Sequence, residues 1–140
     1  MIKELIGASI RDFSRACNLV CIEFVRRDGN KFSFHIQSFF RIVHNSTILV
    51  SSEDIYRCRS DCKAEEFEWD VPGKSIFDES LEKLLPFISD LSVVDVKSAN
   101  CGDLIITFDN DTLLQVFVDT VESEEKYRIL GNGESWVVCS

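Results

Sequence analysis

The sequence predicts an α+β fold that is predominantly antiparallel β. Two related three-stranded meanders are expected around a Phe-rich core, with one helix near residues 76–85. Three observations lead there. Two stretches of the chain read as copies of each other, both carry the period-two alternation of half-buried strands, and one capped amphipathic segment lies between them. Eleven Phe supply the aromatic core. A chain of 140 residues is one ordinary domain, long enough to bury about two thirds of its unfolded surface.

The first copy spans residues 5–37. Residues 10–16 and 19–24 read as strands, Arg27-Asp28-Gly29-Asn30 as a turn, and 32–36 as the returning strand. Asp-Gly between apolar runs is a strong hairpin signal, because glycine reaches positive φ without steric cost. Alternation turns Phe32, Phe34 and Ile36 to the core. Residues 47–50 give one further strand. The stretch 51–74 is polar, acidic and aromatic and contains Pro72-Gly73, so it reads as an irregular insert.

The helix begins after Ser75, which caps it with Asp78 at capping-box spacing. Ile76, Phe77, Leu81, Leu84 and Leu85 form its apolar stripe, and Pro86 is expected to end it. The second copy covers residues 88–119. Residues 93–99 align with 10–16, residues 103–108 with 19–24, and Leu114-Gln115-Val116-Phe117-Val118 with Phe32-Ser33-Phe34-His35-Ile36. Ile106 and Phe108 face the core. Two last strands, 126–130 and 135–139, are joined by Gly131-Asn132-Gly133.

Charge is divided between the halves. Up to Cys62, nine Lys/Arg stand against seven Asp/Glu; from Lys63 onward, six stand against seventeen. A net charge of −9 and a pI near 4.7 argue against nucleic acid or an anionic membrane as partner and favour a basic protein. No apolar run approaches the roughly 20 residues that span a bilayer. The first residues lack the apolar stretch of a signal peptide, so a cytoplasmic protein is expected, with its six cysteines reduced.

Catalytic and cofactor motifs do not emerge. No Gly-x-Ser-x-Gly is present, and the two histidines, His35 and His44, lie in or beside strands. Cys17/Cys21 and Cys58/Cys62 are spaced as pairs but lack the two-residue knuckles of a structural zinc site. Asp109-Asn110-Asp111 begins like a calcium loop, yet no Gly follows at the sixth position and Thr120 replaces Glu at the twelfth. The expectation is therefore a non-enzymatic chain without cofactor or metal.

Three acidic clusters remain as candidate partner-binding residues. The first is Glu65, Glu66, Phe67, Glu68, Trp69 and Asp70, where aromatics alternate with carboxylates. The second is Asp109 and Asp111. The third is Asp119, Glu122, Glu124 and Glu125, followed by Tyr127. Aromatic anchors ringed by charge match the anatomy of interface hot spots.

Leu81-Glu82-Lys83-Leu84-Leu85-Pro86, the hairpin from Leu104-Ile105-Ile106-Thr107-Phe108 to Leu114-Gln115-Val116, and Glu125-Lys126-Tyr127-Arg128 before a glycine turn resemble an uncharacterised family of small bacterial proteins with duplicated β-meanders. The likeness covers residues 81–138, with an echo over 5–36. That family more often has Trp where Tyr127 stands and glycine in the hairpin turn. The resemblance implies a fold and no activity.

In type, an acidic, motif-free domain also resembles the immunity proteins of bacterial toxin systems. This likeness implies neutralisation of a cognate toxin, a nuclease above all, whose cationic groove the carboxylates would fill. The alternatives are a structural or regulatory interaction domain, or a small-molecule or metal-binding domain.

Overall fold

The computed structural model describes residues 2–120 and 124–139. Among these residues, ten strands form two five-stranded antiparallel sheets. The first half contributes β1 (Ser9–Ala16), β2 (Leu19–Val25), β3 (Lys31–Ile36), β4 (Phe40–His44) and β5 (Thr47–Ser51). After the helix α1 (Ile76–Ile88), the second half contributes β6 (Val93–Ser98), β7 (Leu104–Phe108), β8 (Thr112–Val116), β9 (Glu125–Gly131) and β10 (Glu134–Cys139). Sheet order is β1-β2-β3-β9-β10 in one sheet and β5-β4-β8-β7-β6 in the other.

The two meanders are present as β1-β2-β3 and β6-β7-β8, and each is completed by a hairpin from the opposite half. Hairpin β9-β10 pairs with β3, while β4-β5 pairs with β8. The registers are equivalent. Ile36, Phe34 and Phe32 lie opposite Tyr127, Ile129 and Gly131, as Val116, Leu114 and Thr112 lie opposite Phe40, Ile42 and His44. A bulge interrupts β1 between Ile10 and Asp12, and another interrupts β6 at the aligned positions Val93 and Asp95. The repeat thus extends over five strands per half.

This register corrects the alignment of the third strands. Phe32 matches Thr112, not Leu114, because Phe24 faces Phe32 while Phe108 faces Thr112 across a much shorter turn. Asn110 and Asp111 make that turn by adopting φ of +60° and +53°, a conformation that costs them little for non-glycine residues because their short polar side chains bond locally.

Alternation places Val20, Ile22, Phe24, Phe32, Phe34 and Ile36 of one sheet and Ile42, Leu104, Ile106, Phe108, Leu114 and Val116 of the other in one buried cluster. Phe24 and Phe108 touch across it. Strand β4 lay outside the expected elements. Its Phe40 and Ile42 are fully buried, while the intervening Arg41 faces outward and bonds Gln115 at 2.7 Å.

Helix α1 starts as the sequence predicts. The Ser75 hydroxyl accepts from the Asp78 N–H, and the Asp78 carboxylate accepts from the Ser75 N–H. It does not stop at Pro86 but runs to Ile88. In the last turn the proline removes one N–H bond, to the carbonyl of exposed Glu82, and burial of Ile88 outweighs that loss. Phe77 packs against Phe13 and Phe40 with ring centroids 6.1 Å from each, which seats the helix on the core. No helix among the described residues is long and apolar enough to cross a membrane.

Candidate protein-binding surface

Position 15 of β1 follows Phe13 on the core-facing side, and there the sequence places arginine. The buried guanidinium of Arg15 uses all five of its N–H donors. Nε and Nη2 reach the two carboxylate oxygens of Asp78 at 2.9 and 2.8 Å. Nη1 donates to the carbonyls of Cys17 and Trp69, both at 2.7 Å, and Nη2 also donates to that of Val71 at 3.2 Å. This fork ties β1, the helix cap and the acidic insert into one unit.

Asp78 serves the cap and the ion pair together. Burial disfavours its charge, but the hydrogen bond from Arg15 and those from the Ser75 N–H and hydroxyl outweigh burial. The carboxyl is held at about 2. A second arginine pins the insert from outside. Arg59 bonds both carboxylate oxygens of Glu82 at 3.1 Å, Asp61 at 2.6 Å and the carbonyl of Gly73 at 3.1 Å, and the Arg59 hydrogen bond draws Glu82 below its ordinary value.

On this support the first cluster is displayed. Trp69 is 39 % exposed and packs on exposed Tyr56, at the end of the 3-10 helix Ser52–Tyr56, with centroids 5.1 Å apart. Phe67 is half-buried, and Glu65, Glu66, Glu68 and Asp70 are exposed. None of these four carboxylates makes an ion pair among the described residues.

The third cluster lies at the same end of the molecule: a cavity of about 130 Å³ is lined by Asp119 together with Asn18, Ser38, Glu53 and Tyr56, the ring on which Trp69 packs. Its charge is largely engaged internally. Buried Lys126 bonds Glu124 at 3.0 Å and Thr120 at 2.6 Å and lies 3.9 Å from Asp119, while Arg128 bonds Glu125 at 2.6 Å. Glu122 lies outside the described residues.

Tyr127 corrects an expectation. It is the counterpart of Phe40, fully buried, edge-on to Phe34 at 5.6 Å, with its hydroxyl donating to the Gly102 carbonyl at 2.9 Å. Burial raises its phenol. It is a core residue, not a surface contact.

The second cluster is separate. Asp109 and Asp111 sit in the β7–β8 turn, at the far end of strands whose other end leads to Asp119. Five-residue strands put these turns about 13 Å apart along the sheet. Asp109 accepts from the Ser92 N–H at 3.1 Å, and the Asp111 carbonyl accepts from the Asn45 N–H at 3.2 Å. The acidic half of the chain therefore forms two surfaces, not one.

The clamp residues Arg15 and Asp78, and the aromatic partner Tyr56, were not among the sequence candidates. An arginine in phase with Phe13 was the available signal, since a core-facing guanidinium demands a carboxylate. Among the histidines, His44 bonds the Thr112 hydroxyl at 3.1 Å and stacks edge-on to Phe87 at 5.1 Å, away from the paired cysteines. The thiols of Cys17, Cys21, Cys58, Cys62 and Cys101 are free. Burial first, then the hydrogen bond and charge of Glu23 and the charge of Asp12, push the Cys21 thiol up to about 11.

No family model, curated protein or solved structure matches the chain.

Proposed function

We propose that the chain is a non-enzymatic, immunity-type protein that binds a basic partner, a nuclease toxin, through the end of the molecule carrying residues 65–70. The observation that carries this reading is Trp69, an exposed indole between Glu68 and Asp70 on a segment bolted to the core. Unpaired carboxylates attract a cationic partner over distance and accelerate encounter. The indole and Tyr56 supply apolar area to desolvate on contact. Arg15 fixes the segment beforehand, so little conformational entropy is lost on binding. The β7–β8 turn, on the opposite end, is left out of this interface.

Affinity capture from the native cell, with bound proteins identified by mass spectrometry and assayed for nuclease activity, tests the proposal. A basic nuclease held and inhibited by the native chain, and released by the triple variant Glu65→Lys/Glu66→Lys/Glu68→Lys, is the expected result. Equal capture and inhibition by that variant would overturn it.

A further inference from the structure

On the outer face of the first sheet, three side chains of different ligand type converge. Cys21 on β2 lies directly opposite His35 on β3, and Glu23 is the next residue on the same face of β2. The cysteine sulfur, a carboxylate oxygen of Glu23 and an imidazole nitrogen lie within 4.8 Å of one another, and all three residues are half-buried. Paired cysteines along the chain are the sequence signal for zinc. Here the ligands instead meet across two strands.

The surroundings orient the set. The Ser33 hydroxyl donates to both Glu23 oxygens, at 2.8 and 2.7 Å, and the Cys21 thiol donates to one of them at 3.3 Å. The Ser33 bonds come from outside the ligand set and are of the kind that hold metal ligands in position. Asp12 on β1 lies opposite Glu23 and adds negative charge to the face. Arg128 on β9 lies opposite His35, but its guanidinium is engaged by Glu125 at 2.6 Å.

We propose that Cys21, Glu23 and His35 form a binding site for a zinc-class divalent ion. Thiolate and imidazole select a borderline-soft metal over calcium or magnesium. Tetrahedral zinc holds sulfur at about 2.3 Å and nitrogen or oxygen at about 2.0–2.2 Å, so ligands sit about 3.5 Å apart. Binding releases the Cys21 thiol proton to solvent and leaves a fourth position on the outer side for water. The ion would cross-link β2 and β3. This site is separate from the residues 65–70 and stands or falls apart from the proposed partner.

The test is titration of cobalt(II), then zinc, into the reduced chain. One equivalent of cobalt should produce a near-ultraviolet thiolate charge-transfer band and tetrahedral d–d bands, and zinc should displace it and raise Tm. Cys21→Ser should abolish the charge-transfer band, and His35→Ala should weaken binding at least tenfold, with circular dichroism confirming that both variants fold. A Cys58→Ser/Cys62→Ser control should titrate as the native chain does. Absence of the band, or a band that survives Cys21→Ser whether or not the control loses it, would overturn the assignment.

Discussion

Phe24 of β2 and Phe108 of β7 stack nearly parallel, with ring centroids 6.5 Å apart and planes 12° from each other. They occupy equivalent positions in the two halves, so the repeats meet through matched residues at the centre of the core. Phe24→Ala and Phe108→Ala should each cost about 3–5 kcal/mol. The double variant should cost less than the sum, because the second truncation enlarges a cavity already opened. Urea unfolding of the three variants measures this.

The Arg15–Asp78 pair should make stability depend on acid. A carboxyl held at about 2 in the folded chain, against the ordinary 3.8, stabilises it fully above about pH 4, and that contribution is lost as pH falls towards 2. In Asp78→Asn this component should vanish. That variant also leaves a buried guanidinium without its counter-ion and should lose about 3–5 kcal/mol at neutral pH. Unfolding midpoints between pH 2 and 7 check both statements.

Trp69→Ala should separate binding from folding. The Trp69 carbonyl, not its indole, holds Arg15, so the clamp survives while the stack on Tyr56, worth about 0.5–1.5 kcal/mol beyond its buried area, is lost. Partner affinity should fall by about 2 kcal/mol or more. Added salt should slow association of the native chain and have a weaker effect on the triple lysine variant. Surface plasmon resonance reads both rates.

Gly131 should tolerate no side chain. It pairs with Phe32 across β3 and β9, and a Cβ there would stand 2.2 Å from the phenylalanine ring. Gly131→Ala should therefore cost more than the about 1–3 kcal/mol of ordinary overpacking. Gly133→Ala meets nothing within 4 Å and bears only the strain of φ +74°, so it should lose about 1–2 kcal/mol. Thermal unfolding of the two variants ranks them.

Tyr127→Phe should lower stability by about 0.5–1.5 kcal/mol through the lost bond to Gly102. Partner affinity should be unchanged, since the ring is fully buried. A drop in affinity equal to that of Trp69→Ala would place Tyr127 in the interface after all.

The meanders and the helix start were legible because alternation and capping are local. Pro86 misled, since a proline in the last turn breaks only one bond. The slip of the third strand from Thr112 to Leu114 has a precise origin: alternation has period two, so a two-residue slide leaves the inward set unchanged. Exchange of the β4-β5 and β9-β10 hairpins could not be read, because nothing local tells β4 to pair with β8 instead of β3. The same holds for the acidic clusters. Composition put them in one half of the chain, while strand direction sent Asp109 and Asp111 to the opposite end from Glu65 and Trp69.

Each sheet is built from both halves, and this ties their fates together. Neither meander reaches five strands until the distant hairpin has docked, so cooperativity belongs to the whole chain and not to either repeat. Ordering depends on closing loops of many tens of residues, which places folding in the slower range of small domains. A cut in the irregular 51–74 stretch would free no independent half. The fragments would meet through the β3–β9 and β4–β8 ladders, in the manner of two chains of a swapped dimer.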